Sequence, residues 1–213
     1  SVYAYIVRAR NSLGASAWAE TSSIASPLTR YLYTYGLNAA GQLGNASTTN
    51  RNSPFPAMSV LNWIDVKAGD PHSVGLRSDG TLWTWGSNTN GQLGDGTLTA
   101  RSSPVQIAAQ RTWRQIAAGR DFSLAIRSDG TLWAWGRNVE GELGDGTTVD
   151  RATPVKVGSA TNWTAVSTRG YHVLALRSDG TLWAWGNNTQ GQLGNGGAQA
   201  RSPVQVGTAT DWT

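Results

Sequence analysis

Two histidines, His72 and His172, and thirteen carboxylates make up the acid–base repertoire of this 213-residue chain, which has no cysteine. The histidines occupy one repeated position where a third copy carries Phe122, so no chemistry common to all copies can depend on them. A metal would have to gather histidine and carboxylates from separate stretches, and no ligand spacing supports one. Asp79, Asp129 and Asp179 each precede a turn glycine, while Asp95 and Asp145 lie in Asn- and Gly-rich loops. Such side chains bond backbone amides rather than act as paired acid and base. No Gly-x-Ser-x-Gly elbow, phosphate-binding loop or dinucleotide fingerprint occurs. The chain is therefore expected to have no catalytic residues, no metal site and no cofactor, and not to be an enzyme. The missing cysteine rules out disulfides and leaves the compartment open.

The residues that remain are organised by a repeat. "LRSDGTLWTWGSNTNGQLG" from Leu76 returns as "IRSDGTLWAWGRNVEGELG" from Ile126 and "LRSDGTLWAWGNNTQGQLG" from Leu176, a period of fifty. The register extends to Gly41, Gly91, Gly141 and Gly191, to Arg51, Arg101, Arg151 and Arg201, and to Trp63, Trp113, Trp163 and Trp212, with one residue lost after Gly197. Ten of the 11 Trp lie at repeat positions, which makes Trp a structural element of the unit. The net charge of +4 comes from fifteen Arg and two Lys spread evenly, without the stripe a nucleic-acid footprint would need. No specific nucleic acid is expected, and with no twenty-residue apolar run, no membrane span. The chain does not begin with Met and has no signal-like start, so it is expected to be an excerpt of something longer.

Within a repeat, "HSVGLR" and "TLWTWG" flank Ser78-Asp79-Gly80 as a hairpin, and "SPVQIAA" and "WRQIAAG" add two further strands. No sustained helical period appears. Four short strands per repeat predict an all-β protein, a β-propeller of four-stranded blades of about fifty residues. The period-two rule puts Trp83 and Trp85 on one face of their strand, and likewise Trp133 with Trp135 and Trp183 with Trp185, as packing between blades. Arg51, Arg101, Arg151 and Arg201 are expected to brace the Gly-rich loop or lie over an indole.

"HSVGLRSDGTLWTWGSNTNGQLGDGT…SPV" and its siblings resemble the regulator of chromosome condensation repeat family over Tyr31 to Thr213. The resemblance implies a propeller of about seven blades. Three copies are complete here, over 61–110, 111–160 and 161–213, with a half blade at 31–60, so about 3.5 to 4 blades are expected within a propeller domain over 27–213. Three arrangements stand open: an excerpt of a longer array, which is favoured, a four-bladed closure, or a partial ring completed by self-association of copies. Residues 1–26 alternate through Tyr3, Tyr5 and Val7 and turn at Asn11 to Gly14, resembling the last hairpin of a fibronectin type III domain. A lone hairpin is marginal in water, so this one either frays or supplies the missing strands of the first blade.

Shared positions serve packing, so function is expected where the copies disagree, in "GDPH", "GRDF" and "TRGYH", and at Ser87 to Asn90, Arg137 to Glu140 and Asn187 to Gln190. The candidate binding residues are Asp70, His72, Arg120, Asp121, Phe122, Arg169, Tyr171 and His172, a mixture of Arg, aromatics and acids suited to an interface. The expected function is a non-enzymatic interaction module binding a protein or glycan partner through one loop face, in an extracellular or cell-surface protein. The resemblance extends to the propeller-type β-lactamase inhibitor proteins, which bind a protein on one face. The alternative that the resemblance implies is guanine-nucleotide exchange with chromatin attachment, which needs a wedge insertion and a basic tail not visible here.

Overall fold

Each repeat is organised by its Asp-Gly turn. Gly80 adopts φ 76°, a left-handed backbone that disfavours side-chain-bearing residues. Asp79 Oδ1 accepts the Thr81 N–H at 3.0 Å and its hydroxyl at 2.6 Å, and Thr81 Oγ1 accepts the Trp83 indole N–H at 2.9 Å. The same relay runs through Asp129, Thr131 and Trp133 and through Asp179, Thr181 and Trp183. The turn thus holds the indole that follows it.

The computed structural model describes residues 2–8, 30–57, 62–109 and 112–213. Among them there is no helix, hence none long and apolar enough to cross a membrane. Strands β1 (Val2–Arg8), β2 (Arg30–Gly36) and β3 (Arg51–Pro56) form a first sheet. The second blade is β4 (Trp63–Ala68), β5 (His72–Arg77), β6 (Leu82–Gly86) and β7 (Arg101–Ile107). The third is β8 (Trp113–Ala118), β9 (Phe122–Arg127), β10 (Leu132–Gly136) and β11 (Arg151–Lys156). The fourth is β12 (Trp163–Arg169), β13 (His172–Arg177), β14 (Leu182–Gly186) and β15 (Ala200–Gln205). All pairings are antiparallel, with a register shift before the glycine that ends each third strand.

The half blade of the sequence gains a strand from the N-terminal region. β1 pairs with β2 as Val2↔Gly36, Tyr3↔Tyr35 and Ile6↔Leu32, the register in which His72, Ser73 and Leu76 meet Gly86, Trp85 and Leu82. The first strand of the fibronectin-like pattern thus sits where a blade's second strand belongs. Its expected turn at Asn11 to Gly14 and its second strand lie outside the described residues.

Blades stack through two unlike faces. Val74, Leu76, Leu82 and Ile107 of the second blade pack against Trp113, Ile116, Ala125 and Trp135 of the third. Leu124, Ile126 and Leu132 of the third meet Trp163, Val166, Val173 and Trp185 of the fourth. Trp63 contacts Trp83 and Trp85 edge-on at 6.4 and 5.7 Å, the geometry aromatic quadrupoles favour. The fully buried Trp85, Trp135 and Trp185 donate their N–H to the carbonyls of Gln42, Gln92 and Glu142 in the preceding blade at 2.9, 2.9 and 3.0 Å.

Candidate functional site

The up-and-down order of strands puts the loop between a blade's first two strands beside the loop between its last two. Backbone bonds join them: Ser87 N–H to Pro71 O at 2.8 Å, Arg137 N–H to Asp121 O at 3.0 Å, and Asn187 N–H to Tyr171 O at 2.9 Å. Both sets of loops in which the copies disagree therefore form one face, called here the mouth face.

The long loop of each blade is folded around an asparagine. Asn88 Oδ1 accepts Leu93 N–H at 3.0 Å, and its amide donates to Thr97 O, Thr99 O and Asp95 Oδ1 at 2.9, 3.2 and 3.1 Å. Burial pushes the Asp95 carboxyl up, but its bonds from Thr97 and Arg101 outweigh this and hold it below the usual range. Arg101 grips Asp95 through Nε and Nη2 at 3.0 and 2.9 Å, and Arg151 grips Asp145 alike. Where Asn45 and Asn195 replace the aspartate, the arginines act differently. Arg51 lies 4.4 Å from the Phe55 ring centre. Arg201 moves one place, because Gly186 pairs with Ala200 where Gly136 pairs with Arg151. It stands against Gly141, whose ideal Cβ would lie 2.8 Å from Arg201 Cα.

On this scaffold, one cluster crosses three blades. Asp70 Oδ2 lies 3.3 Å from Arg120 Nε, the Arg120 guanidinium stands 5.7 Å from the Tyr171 ring centre, and the Arg120 N–H donates to Gly170 O at 3.0 Å. Arg137 lies closer over the same ring, at 4.1 Å, and Tyr171 donates its hydroxyl to Asp121 Oδ2 at 3.4 Å. Burial raises the Asp121 carboxyl above its ordinary range, against the pull of Arg120. Beneath, the fully buried Glu142 accepts from Arg137 Nη1 at 2.5 Å and from Glu140 N–H at 2.7 Å. Its carboxyl is likewise raised by burial, with Arg137 opposing.

Glu142 stands where the other copies have Gln42, Gln92 and Gln192. Gln192 donates to Asn187 Oδ1 at 2.7 Å, whereas Gln92, beside Ser87, has an amide nitrogen without a partner. Arg137 and Glu142 are thus a matched pair, which leaves the guanidinium 4.1 Å from the Tyr171 ring centre. Glu142 was not among the expected residues; its departure from glutamine in the other copies was the available signal.

The structure joins Asp70, Arg120, Asp121 and Tyr171. Arg169 is exposed at the end of β12, and His172 is half-buried at the start of β13, its imidazole lowered by burial. His72 and Phe122 depart from the expectation. Both are fully buried, because β5 and β9 begin at them and their rings turn in over glycines. An ideal Cβ on Gly69 or Gly119 would come within 2.5 Å of the His72 ring or 2.0 Å of the Phe122 ring. His72 Nε2 lies 2.9 Å from Ser123 Oγ, which itself bonds Gln92 O at 2.9 Å. These two residues belong to the blade interfaces and not to the mouth face.

Outside this cluster, a groove of about 460 Å³ runs between the second and third blades, lined by Gly94, Asp95, Arg101, Ile107, Thr153 and Pro154. Its one ion pair is satisfied internally. Among the described residues, no group of three His, Asp or Glu side chains could hold a metal.

The "regulator of chromosome condensation (RCC1) repeat" model matches residues 31–76, 79–126, 129–176 and 179–212, and a second model of that description matches 63–92, 113–142 and 163–192. No curated protein matches the sequence significantly. The fold is similar to that of Prp20p from Saccharomyces cerevisiae, at 22% identity and TM-score 0.74, over 84% of this chain and 47% of that one. Yeast RCC1 (Prp20) bound to Kap60 matches at 22% identity and TM-score 0.73, over 84% and 45% of the two chains. Human WBSCR16 matches at 22% identity and TM-score 0.69, over 84% and 49%. The chain spans about half the length of these structures. With family models matching most of its length, blade after blade, this chain belongs to the regulator of chromosome condensation repeat family.

Proposed function

We propose that this chain is a non-catalytic scaffold that binds another protein through its mouth face, centred on Arg120 and Tyr171. The observation that carries this is the copy-specific cluster itself. Asp70 and Arg120 are exposed, and Arg120 lies over the Tyr171 ring, which the Arg137 guanidinium and the Asp121 carboxylate also contact. Interface hot spots favour rigid Tyr and Arg of this kind. The exposed Asp70–Arg120 pair contributes about 0–1 kcal/mol by itself, so a partner can exchange it at little cost. Related structures support a protein partner: one is a complex with Kap60, and the other is described by binding to Gsp1p and histones. A glycan has weaker support, since the indoles of Trp83, Trp133 and Trp183 are engaged by threonine. An extracellular or cell-surface location belongs to the proposal, supported by the fibronectin-like pattern of residues 1–26.

Immobilised native chain, the double variant Arg120→Glu/Tyr171→Ala, and Ser159→Glu in the linker at the opposite end of the blades test the proposal by quantitative capture. A partner retained by the native chain and Ser159→Glu but lost from the double variant is expected. Equal retention by the double variant overturns the assignment. Nucleotide release from a small GTPase is expected to be unchanged by the chain; acceleration would establish the exchange activity instead.

A further inference from the structure

The loops between first and second strands make contacts that run sideways from blade to blade. Asp70, Arg120 and Gly170 occupy one repeat position in the second, third and fourth blades. Asp70 Oδ2 lies 3.3 Å from Arg120 Nε, and the Arg120 N–H donates to Gly170 O at 3.0 Å. Arg120 thus meets a charged side chain on one flank, while the equivalent residue on its other flank is a glycine, with no side chain to pair with it.

The two members of this ion pair are held unequally. The Arg120 backbone is tied to the fourth blade through Gly170 O, and its guanidinium stands 5.7 Å from the Tyr171 ring centre. Among the described residues, Asp70 pairs with Arg120 alone, and its side chain is 75% exposed against 55% for Arg120. Exposed pairs of this kind are weak. The other charges of the cluster are committed beneath the surface: Arg137 pairs with the fully buried Glu142 at 2.5 Å, and Asp121 accepts the Tyr171 hydroxyl at 3.4 Å. Arg120 is therefore the guanidinium of the cluster whose counter-charge can leave without uncovering a buried group.

We propose that Arg120 anchors a carboxylate of the protein partner, an Asp or Glu side chain, and that Asp70 occupies its place in the unbound chain. A carboxylate is the group recognised, rather than a cation, because Arg120 is the member fixed to the scaffold and Asp70 the member free to swing away. A guanidinium binds a carboxylate best through a two-point fork, and the nearest approach of Asp70 is to Nε, at 3.3 Å. The proposal rests on the mouth face being the surface that binds protein. To that reading it adds the chemistry of the group recognised and a competitor for the same arginine within the chain.

The probe is a library of terminally blocked dodecapeptides with Glu at a fixed central position and randomised flanks, compared with the same library carrying Gln there. Retention on the immobilised chain gives a Glu-to-Gln ratio. The native chain is expected to favour Glu. Arg120→Gln is expected to abolish the preference, and Asp70→Asn to raise it about two- to fivefold, the worth of an exposed ion pair. Both side chains are exposed, so neither substitution disturbs the blade cores. Asp211→Asn makes the same change of charge at the opposite end of the blades, where a Cβ on Gly180 would lie 3.3 Å from Asp211 N, and is expected to leave the ratio unchanged. Opposite effects of Asp70→Asn and Arg120→Gln are the signature, since loss of a merely structural ion pair would move both variants in one direction. No Glu preference in the native chain, a preference that survives Arg120→Gln, no rise in Asp70→Asn, or a rise matched by Asp211→Asn overturns the proposal. If protein capture is still lost from Arg120→Glu/Tyr171→Ala in that event, the mouth face keeps its role and the carboxylate anchor alone falls.

Discussion

His72 separates copy-specific function from copy-specific packing. The Ser123 hydroxyl is committed to Gln92 O, so it accepts from His72 Nε2, which leaves Nδ1 buried without a partner. Burial lowers this imidazole to about 3. Between that value and the ordinary 6.5, the unfolded chain takes up a proton that the folded chain refuses. Stability is therefore full above about pH 6.5 and is lost as pH falls towards 3, by about 4–5 kcal/mol for a shift of this size. Phe122 already fills the equivalent space over Gly119, so His72→Phe is expected to fold. Its urea midpoint should fall less between pH 7 and pH 4 than that of the native chain; an equal fall would contradict the buried neutral imidazole. Sequence comparison alone could not separate His72 and Phe122 from Asp70, Arg120 and Tyr171. All vary between copies, and only the direction in which each side chain leaves the strand distinguishes an interface residue from a surface one.

At the scale of elements, the stack depends on glycines that admit the next blade's tryptophan. Gly94 has φ 71° and lies where a Cβ would be 2.7 Å from Trp135 Cδ1, whereas Gly194 has φ 62° and no such neighbour. Gly94→Ala should therefore cost about 2–5 kcal/mol and Gly194→Ala about 1–2 kcal/mol in denaturant unfolding. Equal costs would mean that backbone strain alone, and not the indole, selects glycine. The strands, turns and Trp pairing of these blades were legible because the copies repeat letter for letter, so each turn signal is read several times. Two features were not. β1 shares no motif with "HSVGLR" beyond its alternation, and its pairing with β2 is made across twenty-one intervening residues. The shift of Arg201 follows from a single deletion, which realigned letters conceal and strand register reveals.

For the whole molecule, charge is a weak guide and topology a strong one. The net +4 is spread evenly, but the strand order gathers the two loop sets in which the copies disagree most at one end of the blades and the hairpin turns of Asp79, Asp129 and Asp179 at the other. The invariant turns are occupied with holding Trp83, Trp133 and Trp183. The variable loops hold an exposed arginine and a clamped tyrosine. In the proposed function, recognition falls at one end and structural support at the other. The most direct test is backbone amide hydrogen exchange of the chain with and without a captured protein partner. Slowed exchange at residues 119–122, 137–142 and 168–172, with residues 77–81, 127–131 and 177–181 unchanged, is the result predicted. Protection confined to the Asp-Gly turns would contradict it.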